Sequence, residues 1–398
     1  MSHAPLTRAF HFFLATRLLG TLANQMLLLA LGWQMYDLTE RPLDLGLVGL
    51  FQFMPSILLT IPAGQLVDVI DRRLVLAMSL ALQSIVAIVL AFGSHGGWVS
   101  RDLILGLGIL LGGARALQAP ALQALVPTLV PADQLSRAMA MSSAAMKFAV
   151  VAGPAIGGFL YASGAFVVYA VCSGFSTFSL VTTFMIPRTP KRAREPMTLA
   201  SMFAGWHYIR THPTVLGAVS LDLFAVLLGG ATALLPIYAR DILATGPWGL
   251  GLLRAAPAVG ALVVGFVLAR VPMERHVGRR MFIAVGIYGV STLIFAYSRD
   301  FTLSLVMLAI GGAADMVSVV VRQTLVQIRT PDELRGRVSG VNSTFISASN
   351  QLGEFRSGTM AQFLGAPGSV IVGAIGTIAT VGIWSKLFPE LARLDRWK

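Results

Sequence analysis

The chain has 398 residues, 56% of them hydrophobic and only 12% charged, with a mean hydropathy of +0.75. Soluble domains carry about a quarter charged residues, and a water-facing surface this apolar would aggregate, so an ordinary soluble globule is excluded. The net charge of +12 would suit nucleic acid. Its distribution along the apolar spans, taken next, points instead to a membrane.

A bilayer-spanning helix needs ~20 largely apolar residues. The first apolar run begins near Phe10 and reaches Tyr36, too long for a signal-peptide core, and no small-residue cleavage site follows it. It reads as a retained span over 11–36. Further spans are predicted at 44–67, 74–93, 102–126, 138–161 and 165–186. A second set falls at 214–239, 248–269, 281–297, 301–325, 338–363 and 368–387. Alternating strand patterns are absent, and backbone groups in lipid must be satisfied internally, so the spans are helices. The expected fold is an all-α polytopic membrane protein with twelve transmembrane helices in two pseudo-symmetric six-helix bundles, 1–186 and 214–398.

Between the sets lies a connector, 187–213. Its first part, Pro187–Arg194, is basic and proline-rich. Its second part, Ser201–Arg210, forms a short amphipathic helix with Phe203, Trp206 and Ile209 on one face, expected at the membrane surface. With these spans, twenty of the thirty Lys and Arg fall in loops and tails on one side, against four on the other. The basic side faces the cytoplasm by the positive-inside rule. Both termini are therefore expected in the cytoplasm of a bacterial inner membrane, and no nucleic-acid partner is expected.

The two halves resemble each other at an offset of 200 residues. Gly112, Gln123, Pro131, Arg137, Gly153 and Gly158 match Gly312, Gln323, Pro331, Arg337, Gly353 and Gly358. Parallel six-span repeats with a pathway at midplane describe a secondary transporter.

A charge at mid-bilayer costs at least ~2.5–3.5 kcal/mol, so it must face water or a partner. The intramembrane charges are Arg17, Arg115, Lys147, Asp222, Arg254, Asp315, Arg322, Glu354 and Arg356. Spans two, three, six, nine and twelve have none in their cores. With each half read as two triplets, the third helices (spans three, six, nine and twelve) are charge-free. They are expected against lipid, with the first and second helices around a polar cavity. The carboxylates Asp222, Asp315 and Glu354 are candidates for proton uptake and release, because a moving partner changes a carboxylate's proton affinity. Arg115 occupies the position equivalent to Asp315, and the two would face each other in a symmetric bundle. The alternative is a permanent structural pair of Asp315 with Arg322, seven residues on. Arg17, Asn24, Gln25, Gln34, Asn342 and Asn350 are candidates to line a pathway. For Arg17 the alternative is snorkelling; for the amides it is interhelical hydrogen bonding.

The loop after span two reads Gly64-Gln65-Leu66-Val67-Asp68-Val69-Ile70-Asp71-Arg72-Arg73. Gly64 permits close helix approach, Asp68 suits a helix N-terminus, and Arg72 and Arg73 anchor the cytoplasmic face. The segment resembles the signature loop of the major facilitator superfamily, departing from it at Val69 and Asp71. Arg115-Ala116-Leu117-Gln118 resembles the R-x-x-Q core of that superfamily's fourth-span motif, whose arginine is implicated in proton coupling. Gly153-Pro154-Ala155-Ile156-Gly157-Gly158 resembles the G-P-x-x-G-G antiporter motif of proton-coupled exporters. There a proline lacking its backbone donor, flanked by glycines, makes a deformable helix. The stretches Ala119–Pro127 and Thr330–Val338 are similar to the branch of enterobactin exporters and macrolide-efflux permeases.

The resemblance implies a secondary active transporter. Its reading is proton-coupled efflux of a small amphipathic drug or siderophore by alternating access, acting as a monomer with protons and the lipid bilayer as partners. An importer or uniporter of a small metabolite or siderophore on the same fold is the alternative. An enzyme is not expected, since no P-loop, metal-ligand spacing or nucleophile–base set is present. The lone Cys172 cannot form an intrachain disulfide. No cofactor and no metal are expected.

Overall fold

The computed structural model describes residues 6–188, 199–271, 273 and 275–396, with 60, 61, 64, 65, 68 and 199–204 described in backbone only. Among the described residues every regular element is helical. The elements are α1 (Arg8–Thr39), α2 (Pro42–Val69), α3 (Arg72–Gly96), α4 (Arg101–Leu129), α5 (Leu135–Ala162), α6 (Ala165–Phe184) and α7 (Leu199–Thr211). They continue with α8 (Pro213–Gly229), α9 (Leu235–Ile237), α10 (Gly246–Arg270), α11 (Val277–Tyr297), α12 (Phe301–Arg329), α13 (Asp332–Leu387) and α14 (Pro389–Ala392).

Among the described residues, eleven stretches are long and apolar enough to cross a membrane. The last of them, α13, has 56 residues. A straight helix of that length would run ~84 Å, nearly three times the hydrocarbon thickness. It is interrupted at Gly365, where φ is 71° and ψ 167°. Only glycine adopts that backbone at no steric cost, and Pro367 follows it. The interruption divides α13 into the expected eleventh and twelfth spans.

Helix starts follow from short polar residues. The Thr7 hydroxyl caps α1, the Asp71 carboxylate caps α3, and Ser100 and Asp300, 200 residues apart, cap α4 and α12. Each accepts from an amide that the first turn leaves without a helical partner.

Two compact units result. The first holds the described residues of Met1–Glu40, Phe51–Met197 and Gly246–Gly251; the second holds Arg41–Leu50, Thr198–Thr245 and Leu252–Lys398. In the first, α1 packs on α5 and α6 while α3 packs on α4 and α6. Buried polar groups stitch these helices: Gln83 Nε2 donates to the Gly20 carbonyl and to Ser176 Oγ, both at 3.1 Å. Arg72 donates to the Ala124 carbonyl at 3.1 Å and Arg73 to the Ile186 carbonyl at 3.0 Å, so the paired arginines tie the start of α3 to the last turns of α4 and α6. Positive charge is favourable at such helix ends. Asp68, expected to act in the same loop, lies with Gly64 outside the described side chains. In the second unit α8 packs on α13, and α11 on α12 and α13.

The connector helix α7 (Leu199–Thr211) docks one face on protein within the second unit. Ile209 is fully buried in a cluster with Val326, Val338 and Val341, Trp206 meets Phe345 edge-on at 5.4 Å, and the Tyr208 hydroxyl donates to the Arg329 carbonyl. Burial raises the Tyr208 pKa, with Arg329 opposing, so the hydroxyl remains a donor. Phe203 lies outside the described side chains.

The 200-residue offset is visible as matched backbone contacts. Gly112 packs on the backbone of Gln52 in α2, and Gly312 on that of Pro257 in α10. Gly153 packs on Gln25 of α1, and Gly353 on the carbonyls of Val226 and Leu227 in α8. Gly158 meets Pro247 and Gly251, whereas Gly358 meets Pro42 and Gly46. Each contact recurs with its partner helix replaced by the equivalent helix, which is what duplication requires.

These contacts leave no room for a side chain. A methyl group on Gly158 would lie 2.5 Å from the Pro247 carbonyl oxygen and 2.9 Å from Gly251 Cα. At Gly174 the same methyl meets nothing within 4 Å. Gly158→Ala is expected to destabilise by ~1–3 kcal/mol through overpacking. Gly174→Ala should be neutral or stabilise by up to ~1 kcal/mol through reduced unfolded-state entropy. Thermal unfolding of the purified variants by tryptophan fluorescence checks the opposite signs.

Candidate functional site

The seventh span does not run through. α8 stops at Gly229, and a 3₁₀ turn (Thr232–Leu234), the single turn α9 and a π turn (Tyr238–Ile242) complete the crossing. Stopping a helix at membrane depth strands carbonyls, each costing several kcal/mol unless bonded. Side chains repair this break: Tyr288 OH donates to the Gly229 carbonyl at 3.3 Å and Ser357 Oγ to the Gly230 carbonyl at 2.6 Å. Such interruptions are tolerated where they line a cavity, and they mark transporter binding sites.

A cavity of about 200 Å³ opens beside this break. Gly230, Ala231 and Thr232 form one wall, Tyr288 and Thr292 another, and Met307, Leu308 and Pro257 give it an apolar side. Two carboxylates line it, Asp315 from α12 and Glu354 from α13, with Asn350 alongside. Glu354 also acts electrostatically on Arg254 of α10. Gly49 makes the position of Glu354 possible, since a methyl there would lie 2.8 Å from Glu354 Oε2. Arg356, two residues further, donates to Ser357 Oγ at 3.0 Å, lies against Gly373 and acts electrostatically on Tyr288.

The third carboxylate, Asp222, is buried with Arg322, and the two form an ion pair between α8 and α12. Arg322 therefore has Asp222 as a partner, where the sequence alternative paired it with Asp315. Asp222 and Asp315 nevertheless converge, because both line a second, smaller void together with Tyr288 and Ser318. The three carboxylates singled out in the sequence thus lie around two voids of the second unit that share Asp315 and Tyr288 as lining residues.

The other candidates divide. Arg115 is half-buried on α4. Arg17, also half-buried, approaches Met146 Sδ at 3.4 Å. Gln34 takes the interhelical role: it is buried, donating to Ser94 Oγ at 2.9 Å and accepting from Tyr169 OH at 2.7 Å. Its amide thereby links α1 to α3 and α6. Gln25 backs Gly153, and Asn24 is half-buried beside it on α1. Asn342 is buried, while Asn350 donates to the Ile346 carbonyl at 2.8 Å as well as lining the cavity. In the span-five motif, Gly153 and Gly157 seat α1, Gly158 seats the first turn of α10, and the Pro154 carbonyl lies against Gly251.

Two participants escaped the sequence reading: Tyr288 and Ser318 are uncharged and so invisible to a search for intramembrane charge.

Among the described residues, eleven apolar helices, one carrying an internal break that divides it, in two units built on repeated contacts define a polytopic transporter of the major facilitator class. The chain belongs to the transmembrane secretion effector family of that superfamily, whose profile matches residues 1–395. It is 25% identical over 396 residues to the multidrug efflux pump Tap of Mycolicibacterium fortuitum, covering 94% of this chain and 93% of that protein. It is 25% identical over 320 residues to the enterobactin exporter EntS of Salmonella choleraesuis, covering 80% and 73%. The nucleoside transporter NupG superposes with a TM-score of 0.78 at 11% identity, over 96% of this chain and all of that one. That likeness establishes the shared fold. The protein is a transporter, not an enzyme.

The buried pair admits a test of its own. Removing one partner of a buried ion pair costs ~3–5 kcal/mol, whereas replacing both by apolar residues is often neutral or stabilising. Arg322→Met is expected to lower the unfolding midpoint sharply, and the double variant Asp222→Leu, Arg322→Met to recover most of it. Thermal denaturation in detergent measures both.

Proposed function

We propose that the protein is a proton-coupled exporter of a small amphipathic molecule, working as a monomer by alternating access in a bacterial inner membrane with both termini in the cytoplasm. The observation that carries this reading is the placement of Asp315 and Glu354 on one cavity at the broken turn of the seventh span. A carboxylate at such a site exchanges protons with water in the cavity, and its proton affinity follows its partners. Cargo and proton compete for the cavity when each favours a different conformational state, and only that difference transmits work. The apolar side formed by Met307, Leu308 and Pro257 suits an amphipathic cargo. The drug efflux of Tap and the enterobactin export of EntS support the outward direction. Arg115 belongs to the same proposal through its fourth-span motif.

Everted vesicles from cells producing the protein test it. A panel of enterobactin, antibiotics and fluorescent cationic dyes is offered while an acid-interior gradient is followed with a pH-sensitive dye. Transported compounds should dissipate the gradient with the wild type. Asp315→Asn, at equal protein level, should abolish proton-driven efflux. Undiminished efflux with an ordinary pH dependence would remove Asp315 from the mechanism. Accumulation of the compounds by intact cells would replace export by uptake.

A further inference from the structure

The second void in this region differs in kind from the larger cavity. It measures about 10 Å³, room for one water. Its polar walls are Asp222 of α8, Tyr288 of α11, and Asp315 and Ser318 of α12; Val226 and Val285 close the rest. A buried water needs two to four polar partners, and these side chains provide that many. Asp315 and Tyr288 also line the larger cavity, and Asp222 on the wall of the void is the ion-pair partner of Arg322.

We propose that a single water in this void joins Asp315 to Asp222, making the buried ion pair the inner station of a two-carboxylate proton relay. The proposal deepens the export reading above, and rests on Asp315 exchanging protons with the cavity. Protonated Asp315 donates its O–H proton to the water, and the water passes one of its own protons to an Asp222 oxygen. The water is regenerated, Asp315 ends as carboxylate and Asp222 as carboxylic acid. Arg322 keeps its charge but loses its anionic partner, so the tie between α8 and α12 is released by the proton that the cavity took up. The charged and titratable groups around this station are Tyr288 from α11, Asp315 and Arg322 from α12, and Glu354 and Arg356 from α13. Arg254 of α10 stands behind Glu354.

Ser318 supplies the discriminating variants. It is 2% exposed and borders the void without being a carboxylate. Ser318→Val fills the space, whereas Ser318→Ala leaves it. Infrared difference spectra of the purified protein are recorded in phosphatidylethanolamine–phosphatidylglycerol vesicles across a pH titration, in ordinary and in heavy-oxygen water. The Asp222 carboxyl band is assigned by its loss in Asp222→Asn. Aspartate-selective carbon labelling with Asp222→Glu assigns it if that variant does not fold. Interacting sites titrate as a pair, so the Asp222 midpoint should move by about one pH unit or more in both Asp315→Asn and Ser318→Val. A water band sensitive to heavy oxygen should be present in the wild type and in Ser318→Ala, and lost in Ser318→Val. An Asp222 midpoint identical in wild type and Ser318→Val, or no such water band in the wild type, overturns the relay. The spectra contain no cargo, so they fail independently of the efflux assay. Normal proton-driven efflux by Asp315→Asn overturns the coupled-export reading, whereas an unmoved Asp222 band in Ser318→Val overturns the relay and leaves export standing.

Discussion

Inside a bilayer no water is available to bond a stray amide or carbonyl, and each must find its partner within the protein. That constraint forces every span of this chain to be helical and sets where irregularity is permitted. The seventh span unwinds after Gly229 only because Tyr288 and Ser357 reach the freed carbonyls. A repaired break leaves backbone, hydroxyls and carboxylates facing a common space. The cavity is thus a consequence of a hydrogen-bond problem solved by side chains from two neighbouring helices.

Duplication shapes the scaffold, and divergence shapes the chemistry. The glycine contacts of Gly112, Gly153 and Gly158 are repeated at Gly312, Gly353 and Gly358. A contact of backbone on backbone tolerates no side chain, so it records ancestry better than surrounding apolar residues that exchange freely. The chemistry is not duplicated in the same way. α1 is continuous over 32 residues while its counterpart α8 breaks, and the three carboxylates around the cavity and void all belong to the second unit. The first unit contributes helix-fastening arginines and the proline-glycine segment of α5.

Much of this was legible in the sequence, for identifiable reasons. Spans are written in long apolar runs, and the duplication in residues that only glycine satisfies. The carboxylates stand out because their cost in lipid is high whatever their neighbours. What could not be read were pairings decided by rotation of one helix against another. Asp315 and Arg322 share a face of α12, yet Arg322 is taken by Asp222 from α8. Gln34 has the composition of a pathway residue, and only its two hydrogen bonds reveal a packing role. Likewise the apolar face of α7 was evident, but the surface it covers is formed by α12 and α13, more than a hundred residues away. Tyr288 gave no signal because a hydroxyl matters only once the broken turn beside it is known.

The Asp222–Arg322 pair is best understood by asking why it is ionic at all. Two charges taken out of water lose several kcal/mol of solvation each, and their mutual attraction often does no more than offset that loss. Well-packed apolar residues would join α8 to α12 at least as firmly, as the aliphatic contacts elsewhere between these helices demonstrate. Stability therefore gives no reason to retain the pair. A charge-dependent joint has a property that an apolar one lacks: its strength changes when one partner takes up a proton, because an unpartnered buried charge is strongly disfavoured. Separated from a cavity-lining carboxylate by a void with room for one water, such a joint would, in the relay proposed above, convert the protonation state of the cavity into a difference in packing between two helices. Differential stability of two conformations is the only currency in which a proton gradient can drive transport.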